Sequence, residues 1–348
     1  MKKISFRTIL TLLTTALVAY VIYQNWPDIV EAARHLNEAN IFVLLLLIPE
    51  QLFMYYACGQ IFFSYMKRRK EIKKLTTKDR LSISTELNFV NHAVPAGGVG
   101  GLTYLTFRLR PLGVSAGQSS FLYIFRYAVT TVINYFQALV AIVFLLLVHG
   151  IPDEAMWVLP VSLIMNIGVA FVLMLIIFVA SGKRRLEFFS KVITNVGNML
   201  AKIFTFGIKK KPLKREKFDH YFLDIHQSVL LARRSKKDLK GPILWGVIYS
   251  LCEVGTYWIV AISLGKPEIL PCILIGEAIG SVFDGIVPYG LYELGMVGVM
   301  IALGVDFSTA TIVTVMTRVA TLLFTIISGA IPYRRTIMKL GKENGEDS

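Results

Sequence analysis

Charge is scarce in this chain. Only 17% of its 348 residues are Asp, Glu, Lys or Arg, while 55% are hydrophobic and the mean hydropathy is +0.59. A soluble domain cannot cover so apolar a composition with so little polar surface, so a polytopic membrane protein is expected instead. Cysteine is nearly absent. Cys58, Cys252 and Cys272 all lie in apolar runs without metal or redox spacing, and read as small buried hydrophobes. No catalytic Ser/His/Asp set, metal-ligand cluster or phosphate-binding loop is visible, so neither cofactor nor metal is expected. A cleavable leader is not evident either. The first apolar run follows Lys2, Lys3 and Arg7, but Tyr20, Tyr23, Gln24, Asn25 and Trp26 offer no small-residue cleavage site. That run reads as a retained first helix.

What the chain does have is long apolar runs. Six of them, at about 8–24, 40–65, 119–148, 157–180, 242–264 and 308–331, are long enough to span. A hydrocarbon core of about 30 Å needs roughly 17 or more helical residues. Two further stretches, 81–107 and 269–304, are equally apolar but interrupted. The first carries Pro95, Gly97, Gly98, Gly100 and Gly101; the second carries Pro288, Gly290 and Gly295. Proline removes a backbone donor and glycine favours tight turns, so neither stretch suits a straight spanning helix. Both are expected to be re-entrant hairpins. The predicted fold is thus all-α and polytopic, with about six spanning helices plus two hairpins.

Loop charges orient this arrangement. Of the 37 Lys and Arg residues, 33 fall in the N-tail, the 67–80 loop, Arg108 and Arg110, the 183–241 segment and the C-tail. The loops between hold only Arg34 and Lys266 against several acids. Basic loops stay cytoplasmic, so both termini are expected inside, and the net charge of +14 reflects topology, not nucleic-acid binding. The 81–107 stretch must then enter and leave on the cytoplasmic side, and 269–304 on the outer side. The predicted organisation is a first membrane repeat at 1–181, a basic cytoplasmic insert at 182–241, a second repeat at 242–332 and a tail at 333–348. Within the insert, LEFFSKVITNVGNMLAKIFTF has the period of an amphipathic helix on the inner leaflet.

The two interrupted stretches resemble each other. Asn91 and Asp284 each stand four residues before the proline of a Val-Pro pair, Leu-Gly-Val follows at 112–114 and 303–305, and then come Arg126 and Arg318. Upstream, Glu50 and Glu253 hold comparable places. The two copies face opposite ways, which predicts an inverted-topology repeat with a polar site near the midplane. Glu50, Glu86, Arg126, Glu253, Glu277, Asp284, Glu293 and Arg318 all fall in apolar segments. Each costs at least about 2.5 kcal/mol facing lipid at the bilayer centre, so each must face protein, water or a partner. Arg126 and Arg318 suit a lipid phosphate, which a guanidinium holds bidentately; equally, they suit ion pairs with Glu293 or Glu86. Gly276-x-x-x-Gly280 reads as close helix packing. His92, beside the first turn, reads as structural.

These motifs resemble the transmembrane region of the lysylphosphatidylglycerol synthetase family, also found in the flippase half of multiple-peptide-resistance factors. The resemblance rests on NHAVPAGGVGG at 91–101, the two arginines, and VPYGLYELG at 287–295, with Glu293 as its carboxylate. Where the family often has Arg and Glu after the first proline, AGGVGG stands here. The resemblance implies a lipid translocase for aminoacyl-phosphatidylglycerol or a polyprenyl-phosphate lipid. Arg126, Arg318, Glu293, Asn91, Asp284 and Glu86 would then line its substrate site. Bifunctional members add a soluble aminoacyltransferase domain. No such domain is visible before Ser348, so the expectation is a non-enzymatic chain, with any lipid-modifying enzyme acting in trans. Lysyl transfer and a scaffold role through the basic insert are the competing readings.

Overall fold

The computed structural model describes residues 23, 26–67, 72, 75–93, 99–148, 156–204, 215–284 and 291–343, and these are helical almost throughout. Five helices are long and apolar enough to cross a membrane: Ile41–Tyr65, Ala116–Leu147, Val158–Ser181, Lys237–Ser263 and Phe307–Lys339. They match five of the six expected spans. The sixth, at 8–24, lies, Tyr23 apart, outside the described residues. In chain order the helices are α1 (Trp26–His35), α2 (Ile41–Leu44), α3 (Leu47–Tyr65), α4 (Thr77–Ala93), α5 (Val99–Leu109), α6 (Ala116–Val148) and α7 (Val158–Ser181). There follow α8 (Lys183–Phe204), α9 (Arg215–Arg234), α10 (Lys240–Ser263), α11 (Leu270–Asp284), α12 (Leu291–Ala302) and α13 (Phe307–Glu343).

The bundle is organised around α3 and α10, which pack antiparallel along their length. Gln51 meets Thr256 at one level, Gly241 meets Ser64 near one end, and Asn40 N–H bonds Ser263 O near the other. α6 runs beside α10 in the same direction, with Val129 and Ile133 against Gly246, and Asn134 and Gln137 against Ser250. α13 runs beside α3, where Tyr55 bonds Thr325 and its ring packs on Phe324.

Each interrupted stretch is a pair of antiparallel helices. In the first, Asn91 of α4 faces Gly101 of α5, and Glu86 faces Tyr104 and Arg108. In the second, Gly276 and Gly280 of α11 face Met296 and Tyr292 of α12, so the Gly-x-x-x-Gly pair does serve close packing. The connecting residues 94–98 and 285–290, with Pro95, Gly97, Gly98, Pro288 and Gly290, lie outside the described residues. The first arms run in opposite senses. α4 is antiparallel to α3, with Ser84 on Gly59 and Asn88 near Cys58. α11 turns back from the end of α10, with Ile269 and Ile273 in one apolar cluster with Val260 and Ala261, and so runs the same way as α3.

After each second arm the chain makes the same turn. Val114 N–H bonds Leu109 O and Gly113 N–H bonds Arg110 O; Val305 N–H bonds Met300 O and Gly304 N–H bonds Ile301 O. Gly113 and Gly304 have φ of 73° and 92°, the left-handed region that a side chain disfavours. The same turn also ends α10 at Gly265, so the geometry is common. Its recurrence at matching places in the two Leu-Gly-Val sequences is what sets these two apart.

The basic insert contains more structure than its sequence suggested. Its amphipathic helix is α8, which exposes Phe188, Phe189, Val192, Ile193, Val196 and Met199. A second helix, α9, ties the insert to the bundle. Tyr221 donates to Ser120 Oγ on α6 (2.7 Å), and His226 Nδ1 lies 2.8 Å from Ala180 O on α7. α9 is polar overall and has only a narrow apolar stripe, which explains why hydropathy missed it. α13 likewise continues through the first residues of the predicted tail, as far as Glu343.

Candidate functional site

Long helices bring one polar side chain at a time into the bundle, and neighbouring helices in register collect these into levels. Three levels follow one another along α10. Tyr249, Glu253 and Tyr257 are spaced four residues apart and lie on one face of α10. Tyr249 and Tyr257, eight residues apart, are separated by about 12 Å of helix axis.

At the first level lies Arg126 of α6, only 6% exposed. Its Nη1 donates to Cys58 Sγ at 2.7 Å. The guanidinium sits 4.5 Å from the ring centroid of Tyr127 and 5.5 Å from that of Tyr123, and Tyr249 faces it from α10. Tyr123 donates to Asn91 Oδ1 at 2.9 Å, which links the end of the first hairpin to this cation. Gly101 makes that link possible: a Cβ there would fall 1.9 Å from Asn91 Oδ1. Among the described residues, no carboxylate lies within ion-pair distance of Arg126.

At the third level, Arg318 of α13 pairs with Glu293 of α12, Nε to Oε1, at 3.0 Å. Its guanidinium lies 5.7 Å from the ring centroid of Tyr292, whose hydroxyl accepts from Tyr257 at 2.9 Å. The two matched arginines therefore have different partners: Arg318 has the hairpin carboxylate, whereas Arg126 has a thiol and aromatic rings.

Between them sits an acidic level. Glu50 Oε2 accepts from Gln51 Nε2 (3.0 Å) and from Thr256 Oγ1 (3.1 Å), while Tyr249 donates to Glu253 Oε1 (2.7 Å). To one side, Glu277 Oε1 accepts from Asn134 Nδ2 at 3.0 Å, and Ser250 bonds the same Asn134.

Glu86 lies apart from Arg126. It is fully buried and accepts four bonds: Ser82 and Thr336 at Oε1, Tyr104 and Arg108 at Oε2, all at 2.6 to 2.9 Å. This fills the acceptor capacity of the carboxylate and joins both arms of the first hairpin to α13. Asp284 closes α11, but its side chain lies outside the described positions. Gly100 stands in the first turn of α5, and His92 makes a local contact to Asn88 O at 2.9 Å. The sequence thus singled out Arg126, Asn91, Arg318 and Glu293, which meet in two groups. Cys58, Gln51, Tyr123, Tyr127, Tyr249, Thr256 and Tyr292 were not singled out. Only Tyr123 and Tyr127 carried a local signal, flanking Arg126 on its own helix.

Fold and site together define a class: a helical membrane protein that packs two broken-helix hairpins inside a bundle with buried, matched arginines. The chain belongs to the family described as the lysylphosphatidylglycerol synthase TM region, whose model matches residues 8–329. This places it among membrane proteins of lipid synthesis or translocation. Comparisons with characterised proteins and with solved structures returned no significant match.

Proposed function

We propose that this chain is a lipid translocase of flippase type. Its substrate is a phospholipid such as aminoacyl-phosphatidylglycerol, or a polyprenyl-phosphate lipid, carried across the cell membrane with both termini of the protein in the cytoplasm. The observation that carries this reading is Arg126, a buried cation without a carboxylate partner among the described residues. A buried charge is expensive unless an opposite charge neutralises it, and aromatic faces attract a cation without neutralising it. A lipid phosphate supplies that charge and matches the fork of the guanidinium.

Arg318 is the second station, at the level of Tyr257, which lies about 12 Å along α10 from Tyr249. There a substrate phosphate exchanges places with Glu293, so that occupancy and pairing compete. Opposed first arms support hairpins entering from the two faces, the inverted-topology arrangement in which a midplane site passes between them. Glu86 acts as a positioning residue, since its acceptor sites are filled by this chain. An enzyme that modifies the lipid acts in trans.

The test is translocation in proteoliposomes with fluorescent lipids bearing anionic, zwitterionic and lysyl headgroups. Headgroup-selective movement is expected, and Arg126→Ala should lower it about tenfold or more, with Arg126→Lys in between because the fork is lost. Movement that is absent for every lipid, or unchanged in Arg126→Ala, overturns the reading in favour of a scaffold or accessory role.

A further inference from the structure

The acidic level between the two arginines has a feature that phosphate binding does not use. Among the described residues, Glu50 Oε1 is buried without a hydrogen-bond partner, and so is Gln51 Oε1 on the neighbouring residue, which is only 1% exposed. The Gln51 amide is part of the same cluster, because its Nε2 donates to Glu50 Oε2 and, at 2.8 Å, to Thr256 Oγ1. Among the described residues, the titratable groups facing Glu50 are Glu253 and Cys252 on α10 and Tyr55 on α3, with no cation among them. Glu253 is already bonded by Tyr249. Two orphaned, buried acceptor oxygens beside a second carboxylate are unfavourable as they stand, and one positive charge would relieve both. Carboxylate, amide and hydroxyl oxygens are hard ligands, suited to a hard ion.

We infer that Glu50, Gln51, Thr256 and Glu253 form a site for one monovalent cation, a proton or a sodium ion. Among the described residues, no three His, Cys, Asp or Glu side chains come together as a metal cluster, which argues for a single charge over a divalent metal. The site lies midway between Tyr249, which faces Arg126, and Tyr257, which bonds the tyrosine beneath Arg318. A charge gained or lost there changes the field at both stations, so the cation is tied to the direction in which an anionic lipid moves. The tie to transport rests on the translocase reading; the binding site does not.

The experiment uses the full chain in nanodiscs and reads the infrared band of protonated carboxylic acids against pH, in sodium chloride and in choline chloride. A band that Glu50→Gln removes assigns a proton. A sodium-dependent change absent from choline and from Glu50→Gln assigns sodium. An ionised Glu50 that responds to neither ion overturns the site. Should Glu50→Gln fail to fold, Gln51→Leu and Glu253→Gln replace it in the same comparison. Proteoliposomes with an imposed proton or sodium gradient then test the coupling. A severalfold acceleration of lipid movement by the gradient, lost in Glu50→Gln, supports it, and lipid movement indifferent to both gradients overturns it. Cation binding with no lipid movement at all leaves the site standing and removes the translocase reading instead.

Discussion

The two hairpins are held to the same helix, α13, by very different joints. The first is fixed by Glu86, fully buried, with four donors from α4, α5 and α13 around it. The second is joined through the Arg318–Glu293 pair at 3.0 Å, whose side chains are 17% and 20% exposed, and through an apolar cluster that includes Met296, Met300, Val313 and Met316. Packing adds to the first joint. A Cβ at Gly59 would fall 1.8 Å from Ser84 Oγ, and one at Gly329 would fall 2.6 Å from Thr85 O, so α4 is gripped from both sides. The first joint is thus closed to solvent and the second partly open to it; on the translocase reading proposed above, the second is the one a competing anion opens. In a carrier, this assigns the larger displacement to the second hairpin.

The largest effect that breaks this comparison should come from Glu86→Ala. It leaves Arg108 and three hydroxyls around an emptied buried position, and removing one partner of such a pair costs about 3–5 kcal/mol. A sharp fall in melting temperature in detergent checks it; a change within error would show the first joint to be no firmer than the second. Next in size is Arg126→Met, which should raise the melting temperature while abolishing lipid movement, because it removes a buried charge that no carboxylate among the described residues neutralises. A loss of stability there would mean that Arg126 is paired within the protein. Glu293→Gln should cost only about 1 kcal/mol, since the pair is partly exposed. It should also increase the reactivity of a cysteine placed at Tyr292 toward a polar maleimide, whereas Glu86→Gln should not expose one at Tyr104.

The smallest effects concern two exposed caps. Thr76 donates through both its hydroxyl and its N–H to Asp79 ahead of the first hairpin, and Thr309 N–H bonds Asp306 at the start of α13. These bonds hold both carboxyls below the usual carboxylate range, chiefly through the Thr76 hydroxyl for Asp79 and the Thr309 N–H for Asp306. A folded pKa below the unfolded one adds stability that is complete above the ordinary carboxylate range and is lost as pH falls through the lowered value. Asp79→Asn and Asp306→Asn should therefore lower the melting temperature slightly at pH 7 and not at all in strong acid. Equal deficits at both pH values would mean that charge contributes nothing to either cap.

Much of this was legible beforehand. Apolar runs long enough to span gave five of the observed spanning helices, because a bilayer demands length and apolarity above all else. Pro95 and Pro288 marked where two apolar stretches could not be single helices, since proline lacks the donor a helix needs. α9 was not legible. Its short stripe of Phe222, Ile225 and Val229 is too weak for hydropathy, and only the contacts with Ser120 and Ala180 give it a place.

The site divides in the same way. Arg126, Arg318 and Glu293 stood out because a charge in an apolar run has few physical excuses. Glu50 and Glu253 stood out for the same reason, but their neighbours did not. Gln51, Thr256, Cys58 and Tyr249 are ordinary residues until α3, α6 and α10 align them. The sequence by itself determined the membrane class, the two interrupted hairpins and which charges had to be sheltered, because these depend on local composition and backbone chemistry. The tertiary structure alone decided that Glu86 joins a hairpin to α13, that Arg318 has a carboxylate while Arg126 has none among the described residues, and that an acidic level lies between them. Those outcomes depend on the register of helices far apart in the chain, and hydropathy holds no record of that register.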